Sequence, residues 1–231
     1  VVDLQTGSLV AIFAIFTIAG IVKGVTGMGL PTVAMGMLGF FMSPVAAAGM
    51  LILPSFITNI WQLLSGPHLK ATLLRLWPMM IAIVAGTLIG IRLMTGGAAV
   101  WTTSALPGTL EKWLSAPVGF ITGLLTGGTG VFVVPAVPYI QSLGFQRDDL
   151  VQALGLSFTV STMALALGLA SQSALQTQEL TISALAVIPA LLGMWAGQKI
   201  RHIVSPTTFR RWFLICLLIL GCELFLRAFW H

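Results

Sequence analysis

Two long stretches of this chain hold no Asp, Glu, Lys, Arg or His at all: Gly24 to Pro67, and Trp113 to Gln146. A water-facing surface needs polar side chains to cover it, so stretches like these belong in a bilayer. The composition agrees. Only 7% of the 231 residues are charged and 57% are hydrophobic, against about 25% charged in an ordinary soluble domain. A spanning helix takes about 20 mostly apolar residues, which leaves room for roughly six to eight crossings and for no soluble domain of useful size. Function must therefore lie within the membrane layer.

The net charge of +5 does not point to nucleic acid, because the basic residues lie at the ends of apolar segments, where they set topology. Cys216 and Cys222 share one apolar segment, off a common helical face and with no His nearby. That pattern supports neither a disulfide framework nor a zinc site, and no metal or cofactor is expected. The first apolar run follows Asp3 without a basic n-region and is read as mature protein rather than a signal peptide.

Segments long enough to span run over 8–26, 44–64, 76–95, 150–170, 180–199 and 211–230. Two others, 30–42 and 131–143, fall short of the ~17 residues a crossing needs. Each follows a glycine cluster, Gly24 to Gly29 and Gly127 to Gly130, and each carries proline. Broken helices are the natural reading. Irregular backbone at membrane depth is tolerated only where protein buries it or a wet cavity meets it, so the clusters mark a ligand region. The expected fold class is all-α, a polytopic membrane protein of about 7–8 transmembrane helices.

The chain also repeats itself. Gly20, Gly24, Thr26 and Gly27 recur 103 residues on as Gly123, Gly127, Thr129 and Gly130, and the same offset maps Asn59 to Thr162. Pro78, Ala85 and Gly86 recur at an offset of 111 as Pro189, Ala196 and Gly197. Two halves result, 1–112 and 113–231. The loop Ser65 to Leu76 carries His68, Lys70 and Arg75, while its counterpart, Ser171 to Glu179, has no base and one acid. Past the next helix the bias reverses, with Lys199, Arg201, Arg210 and Arg211 against Arg92 alone. By the positive-inside rule the halves are inverted, and inverted repeats place broken helices at a shared midplane site. Half two ends with a fourth helix, 211–230; in half one the equivalent stretch from Gly96 meets Pro107. The expectation is that a dozen or more residues are lacking between Gly96 and Trp113.

The stretches Ala19 to Pro31 (AGIVKGVTGMGLP), Thr122 to Pro135 (TGLLTGGTGVFVVP) and Asp148 to Thr159 (DDLVQALGLSFT) resemble the sulfite exporter TauE/SafE family of bacterial inner-membrane proteins. The resemblance covers nearly the whole chain; the departure is the absent fourth helix of half one. It implies a multi-pass protein of the bacterial inner membrane that moves small sulfur-containing anions, sulfite, sulfoacetate or another organosulfonate, without ATP-binding machinery. Export by alternating access around the midplane is the expected activity. The partners are the small anion and membrane lipid, with no nucleic acid; homo-oligomerisation is left open.

An oxyanion is met by N–H donors and positive potential, which a helix N-terminus supplies and a preceding glycine makes approachable. Gly27, Met28 and Gly29, facing Gly130, Val131 and Phe132, are the candidate donors, with hydroxyls from Thr26 and Thr129. The alternative is that the glycines serve close helix packing. Lys23 is the sole charged residue between Leu4 and Pro67. It is either an intramembrane cation for the anion or a lysine that snorkels to the interface. Asn59, Gln152, Ser157 and Thr162, with Gln62, Thr159 and Ser161, form polar stripes that either line the pathway or bond between helices. Glu223 is a candidate coupling carboxylate, with pairing to Arg227 as the other reading.

No catalytic residues are expected. His68, His202 and His231 fall in loops or at the terminus, so no Ser or Cys has a base beside it. The competing functional classes are an intramembrane enzyme and a non-catalytic membrane subunit.

Overall fold

A computed structural model describes residues 6–94, 111–130, 132–133, 135–175 and 177–201. These residues form helices without strands: α1 (Thr6–Thr26), α2 (Leu30–Leu38), α3 (Pro44–Leu64), α4 (Leu69–Met94), α5 (Glu111–Thr129), α6 (Ala136–Ser142), α7 (Arg147–Ser171) and α8 (Thr177–Arg201). Among them α1, α3, α4, α7 and α8 each hold a stretch long and apolar enough to cross a membrane. Large apolar side chains also cover the outside, with Trp61, Leu74, Trp77, Ile81, Leu167, Ile188, Leu192 and Trp195 exposed. Lipid, with no demand for polar cover, suits that exterior. The protein is a multi-pass membrane protein, with helices and no strand among its described residues.

Local chemistry explains the breaks. Gly27 (φ 79) ends α1 and Gly130 (φ 70) ends α5, the left-handed position that stops a helix and favours glycine. Each N–H closes the last turn on the residue four back: Gly27 on the Lys23 carbonyl and Gly130 on the Thr126 carbonyl, both at 2.8 Å. At α3, Ser43 caps with its hydroxyl accepting from Ala46 N–H at 3.3 Å, and Pro44 takes the first helical position, where no N–H is missed.

The tightest helix contacts are α1 with α8 and α4 with α5, and glycine makes both. Gly20 and Gly24 lie against the backbone of Ala190 and Met194; Gly123 and Gly127 lie against Ile83 and Thr87. In return Gly193 and Gly197 meet the Thr17 and Ile21 carbonyls, and Gly86 and Gly90 meet those of Phe120 and Leu124. A Cβ at any of these sites would enter facing backbone, so only glycine permits the approach. The α1 and α5 contacts thus correspond at an offset of 103, as expected. Those of α4 and α8 correspond at 107 (Gly86 with Gly193, Gly90 with Gly197), one helical turn short of the 111 expected from Pro78, Ala85 and Gly86. The proline and alanine matches were misleading, because backbone contact constrains only the glycines.

Both close pairs are parallel, and α3 crosses α7 antiparallel, with Leu63 beside Gln152 and Asn59 beside Thr162. Helices α1, α3 and α8 therefore point one way and α4, α5 and α7 the other. Helix α4 starts seven residues before the expected 76, and α5, not among the expected full-length spans, covers 111–129. The stretch 95–110, where residues are expected to be lacking, and the expected helix 211–230 lie outside the described residues. Because α4 and α5 are parallel, with Met79 beside Gly119, Met94 and Glu111 lie about 35 Å apart along the pair at ~1.5 Å per residue.

Candidate functional site

Lys23 occupies the last turn of α1 and is 1% exposed. Its Nζ donates to Thr58 Oγ1 at 2.9 Å and to Asn59 Oδ1, both on α3. The Asn59 amide donates onward to Thr162 Oγ1 on α7 at 3.2 Å, and that hydroxyl donates to the Phe158 carbonyl at 2.7 Å. A directed chain of donors thus runs from the amine through both central helices. Thr58 passes its own proton to the Pro54 carbonyl at 2.6 Å, an acceptor in the turn around an interior proline. Among the described residues no carboxylate pairs with Lys23; Asp149 lies instead 2.8 Å from His68 Nδ1 at one end of the bundle. An intramembrane lysine costs about 2.5–3.5 kcal/mol on insertion scales, and here only neutral oxygens offset it.

Unused polar atoms occur on the same helices. Ser55 Oγ and Gln62 Oε1 on α3, and Ser157 Oγ and Ser161 Oγ on α7, are buried with no hydrogen-bond partner. Ser55, Asn59 and Gln62 recur at i, i+4 and i+7 on one face of α3. Gln62 Nε2 donates to the Gly27 carbonyl, which ties the break after α1 to this face. A small ligand with several acceptor oxygens would find both a cation and hydroxyl donors here.

The structure brings together Lys23, Gly27, Asn59 and Thr162. The two glycine clusters do not face each other: Gly27 packs on Val151 and Gln62, Gly130 on Met35 and Ala48. Gln62 and Ala48 are fourteen residues apart on α3, about 21 Å at 1.5 Å per residue. The proposed backbone donors are largely occupied, since Gly27 and Gly130 N–H close their helices and Met28 N–H donates to Thr26 Oγ1 at 3.1 Å. Gly29 (φ 100) is the N-cap of α2, whereas α6 starts only at Ala136, well past Gly130. Phe132 is core, its ring tilted 54° against that of Phe158 with centroids 5.3 Å apart. Thr129 is exposed and donates to the Leu125 carbonyl at 2.7 Å.

Gln152 binds backbone rather than the central layer. Its amide donates to the Leu63 and Gly66 carbonyls, each at 2.8 Å, and its Oε1 accepts from His68 N–H at 3.0 Å, so it clamps the loop after α3. Ser157 is buried one turn before Ser161. Val131 and Glu223 lie outside the described residues. Thr58 and Ser55 were not foreseen. A signal for Thr58 existed: at the offset of 103, Thr58-Asn59 maps onto Ser161-Thr162, a polar pair on a polar pair.

Comparison with family models finds "Sulfite exporter TauE/SafE" over residues 12–114 and 99–224. Comparison with curated proteins and with solved structures gives no match. Two matched stretches reach from residue 12 to residue 224, and the helices and buried polar layer between them suit a membrane transporter: the chain belongs to the sulfite exporter TauE/SafE family.

Proposed function

We propose that this protein is a secondary transporter that carries a small sulfur-containing anion, sulfite or an organosulfonate, across the bacterial inner membrane, with export as its direction. The observation that carries the reading is Lys23: a fully buried amine held by a hydroxyl and an amide, without a carboxylate partner among the described residues. Such a group supplies the positive potential that an oxyanion needs in a low-dielectric site. Ser55, Ser157 and Ser161 stand ready with uncommitted hydroxyls.

The two halves are read as inverted repeats. Opposed directions of α1 and α5, and of α3 and α7, support this, as does the direct bond between repeat-mates Asn59 and Thr162. Equivalent residues touch only near an axis relating them, which puts the central layer midway between the halves. The end bearing His68, Lys70 and Lys199 is cytoplasmic by its positive charge. Alternating access then consists of the α1–α8 and α4–α5 pairs rocking about the α3–α7 crossing, with Lys23 closed from both sides in the present conformation.

Purified protein in liposomes loaded with unlabelled sulfite or sulfoacetate should accumulate the labelled anion by counterflow, and Lys23→Gln should abolish it. Absence of counterflow with every sulfur oxyanion, in protein that remains monodisperse, would overturn the transport reading.

A further inference from the structure

Glu179 lies in the first turn of α8, far from Lys23, and is only 7% exposed. Its carboxylate sits directly against Gly49 of α3, where a Cβ would come within 2.6 Å of Oε2. That oxygen is buried and has no hydrogen-bond partner. One turn on, Ser183 points the same way, its Oγ accepting the Leu53 N–H at 3.2 Å. The next residue, Pro54, has no N–H to give, so the carbonyl four residues earlier, on Met50, is left without its helical donor. A carboxylate and a hydroxyl thus face the one stretch of α3 where the helical hydrogen-bond ladder is interrupted. Toward the centre the same stretch leads to Ser55, Thr58 and Asn59.

A helix N-terminus favours an acid, which explains an acid in the first turn but not a buried oxygen left without a donor. A buried acceptor without a donor is unfavourable, and a proton on it turns the same atom into a donor. Among the described residues α2 and α3 have no ionisable side chain, and on α1 Lys23 is alone, near the level of Met194, about 22 Å along α8 at 1.5 Å per residue.

We propose that Glu179 is a proton-binding carboxylate that couples anion movement to the proton gradient. One proton from the extracytoplasmic side binds Oε2, α3 and α8 rearrange around Gly49 and Ser183, and the same proton leaves from that carboxyl in the alternate conformation. The proposal rests on the transport reading above, and the experiment separates the two. In proteoliposomes clamped at zero membrane potential, wild type should show net anion flux driven by an imposed pH gradient, and also counterflow. Glu179→Gln keeps the volume and removes the titrating proton site, so it should retain counterflow and lose the gradient-driven flux. Gly49→Ala places a methyl where the carboxylate sits and should weaken the gradient-driven flux while counterflow remains. If Glu179→Gln retains the pH-gradient response, the coupling role is overturned while transport stands. If wild type shows no counterflow at all, transport falls and the coupling role falls with it.

Discussion

Position 23 and position 126 occupy equivalent places. Each is one turn before the glycine that ends its helix, each lends its carbonyl to that glycine's N–H at 2.8 Å, and each is buried. One is a lysine bonded across to Thr58 and Asn59; the other is a threonine whose hydroxyl donates to the Thr122 carbonyl of its own helix at 2.7 Å. The backbone scaffold is kept twice and the charge is placed once. Packing therefore constrains both halves alike, whereas the proposed anion site calls for a single cation at the crossing, and a second lysine there would add like-charge repulsion in a low-dielectric layer.

The most severe test of the shared scaffold is at its glycines. Gly24→Val and Gly127→Val each drive a branched side chain into facing backbone, Met194 in one case and Thr87 in the other. Backbone cannot step aside as a side chain can, so each should cost about 3 kcal/mol or more. Both should fail to give a monodisperse peak on size exclusion. If one is tolerated, the halves are not packed alike.

The charge should separate the halves next. Lys23→Met should weaken sulfite or sulfoacetate binding about 100-fold, since losing one partner of a buried charged pair costs about 3 kcal/mol. Thr126→Val should leave affinity within about twofold, because the lost bond is local to α5 and worth about 0.6 kcal/mol. Calorimetric titration of both variants measures the contrast, and equal losses would show that the two positions share the ligand.

Smaller effects should appear along the donor chain. Asn59→Ala removes an acceptor from Lys23 and a donor to Thr162, and should lower anion affinity by about 1–3 kcal/mol. Thr162→Val leaves Lys23 and its acceptors in place and should cost about 1 kcal/mol. The double variant should be less than additive, as expected for partners in one network; strict additivity would mean that the chain does not act as a unit.

Much of this was legible in the sequence, for identifiable reasons. Charge-free stretches and glycine clusters report membrane helices and their breaks directly, because burial in lipid and close backbone approach each demand a narrow set of residues. Helix α5 was harder to read, since Pro117, Gly119, Gly123, Gly127 and Gly128 dilute its apolar character although Gly119, Gly123 and Gly127 serve its packing on α4. The polar residues could be singled out but not assigned. Asn59 and Gln152 look alike as amides in apolar helices, yet one bonds the buried lysine and the other holds a loop. Tertiary contact makes that distinction. The second register was misjudged by one turn because alanine and proline recur in membrane helices for reasons that no facing residue enforces.

The finest contrast lies at the two threonines that precede the break glycines. Thr26 is half-buried and sits at the joint itself: its Oγ1 accepts the Met28 N–H at 3.1 Å and lies 2.8 Å from the Val22 carbonyl. Removing that hydroxyl leaves a backbone donor unmatched between α1 and α2, beside Gly27, whose carbonyl is held by Gln62. Thr129 is exposed, and water can replace the bond its hydroxyl makes to the Leu125 carbonyl. Thr26→Val should therefore cost about 1 kcal/mol of stability and Thr129→Val a few tenths at most, read as the shift in thermal midpoint in detergent. Because Thr26 lies one turn beyond Lys23, its loss should also reduce counterflow by allowing the end of α1 to fray; Thr129, on a helix whose last turn carries no basic residue, should leave flux unchanged. Equal effects on flux would mean that both breaks serve the ligand, and the division between a shared scaffold and a single charged site would have to be redrawn.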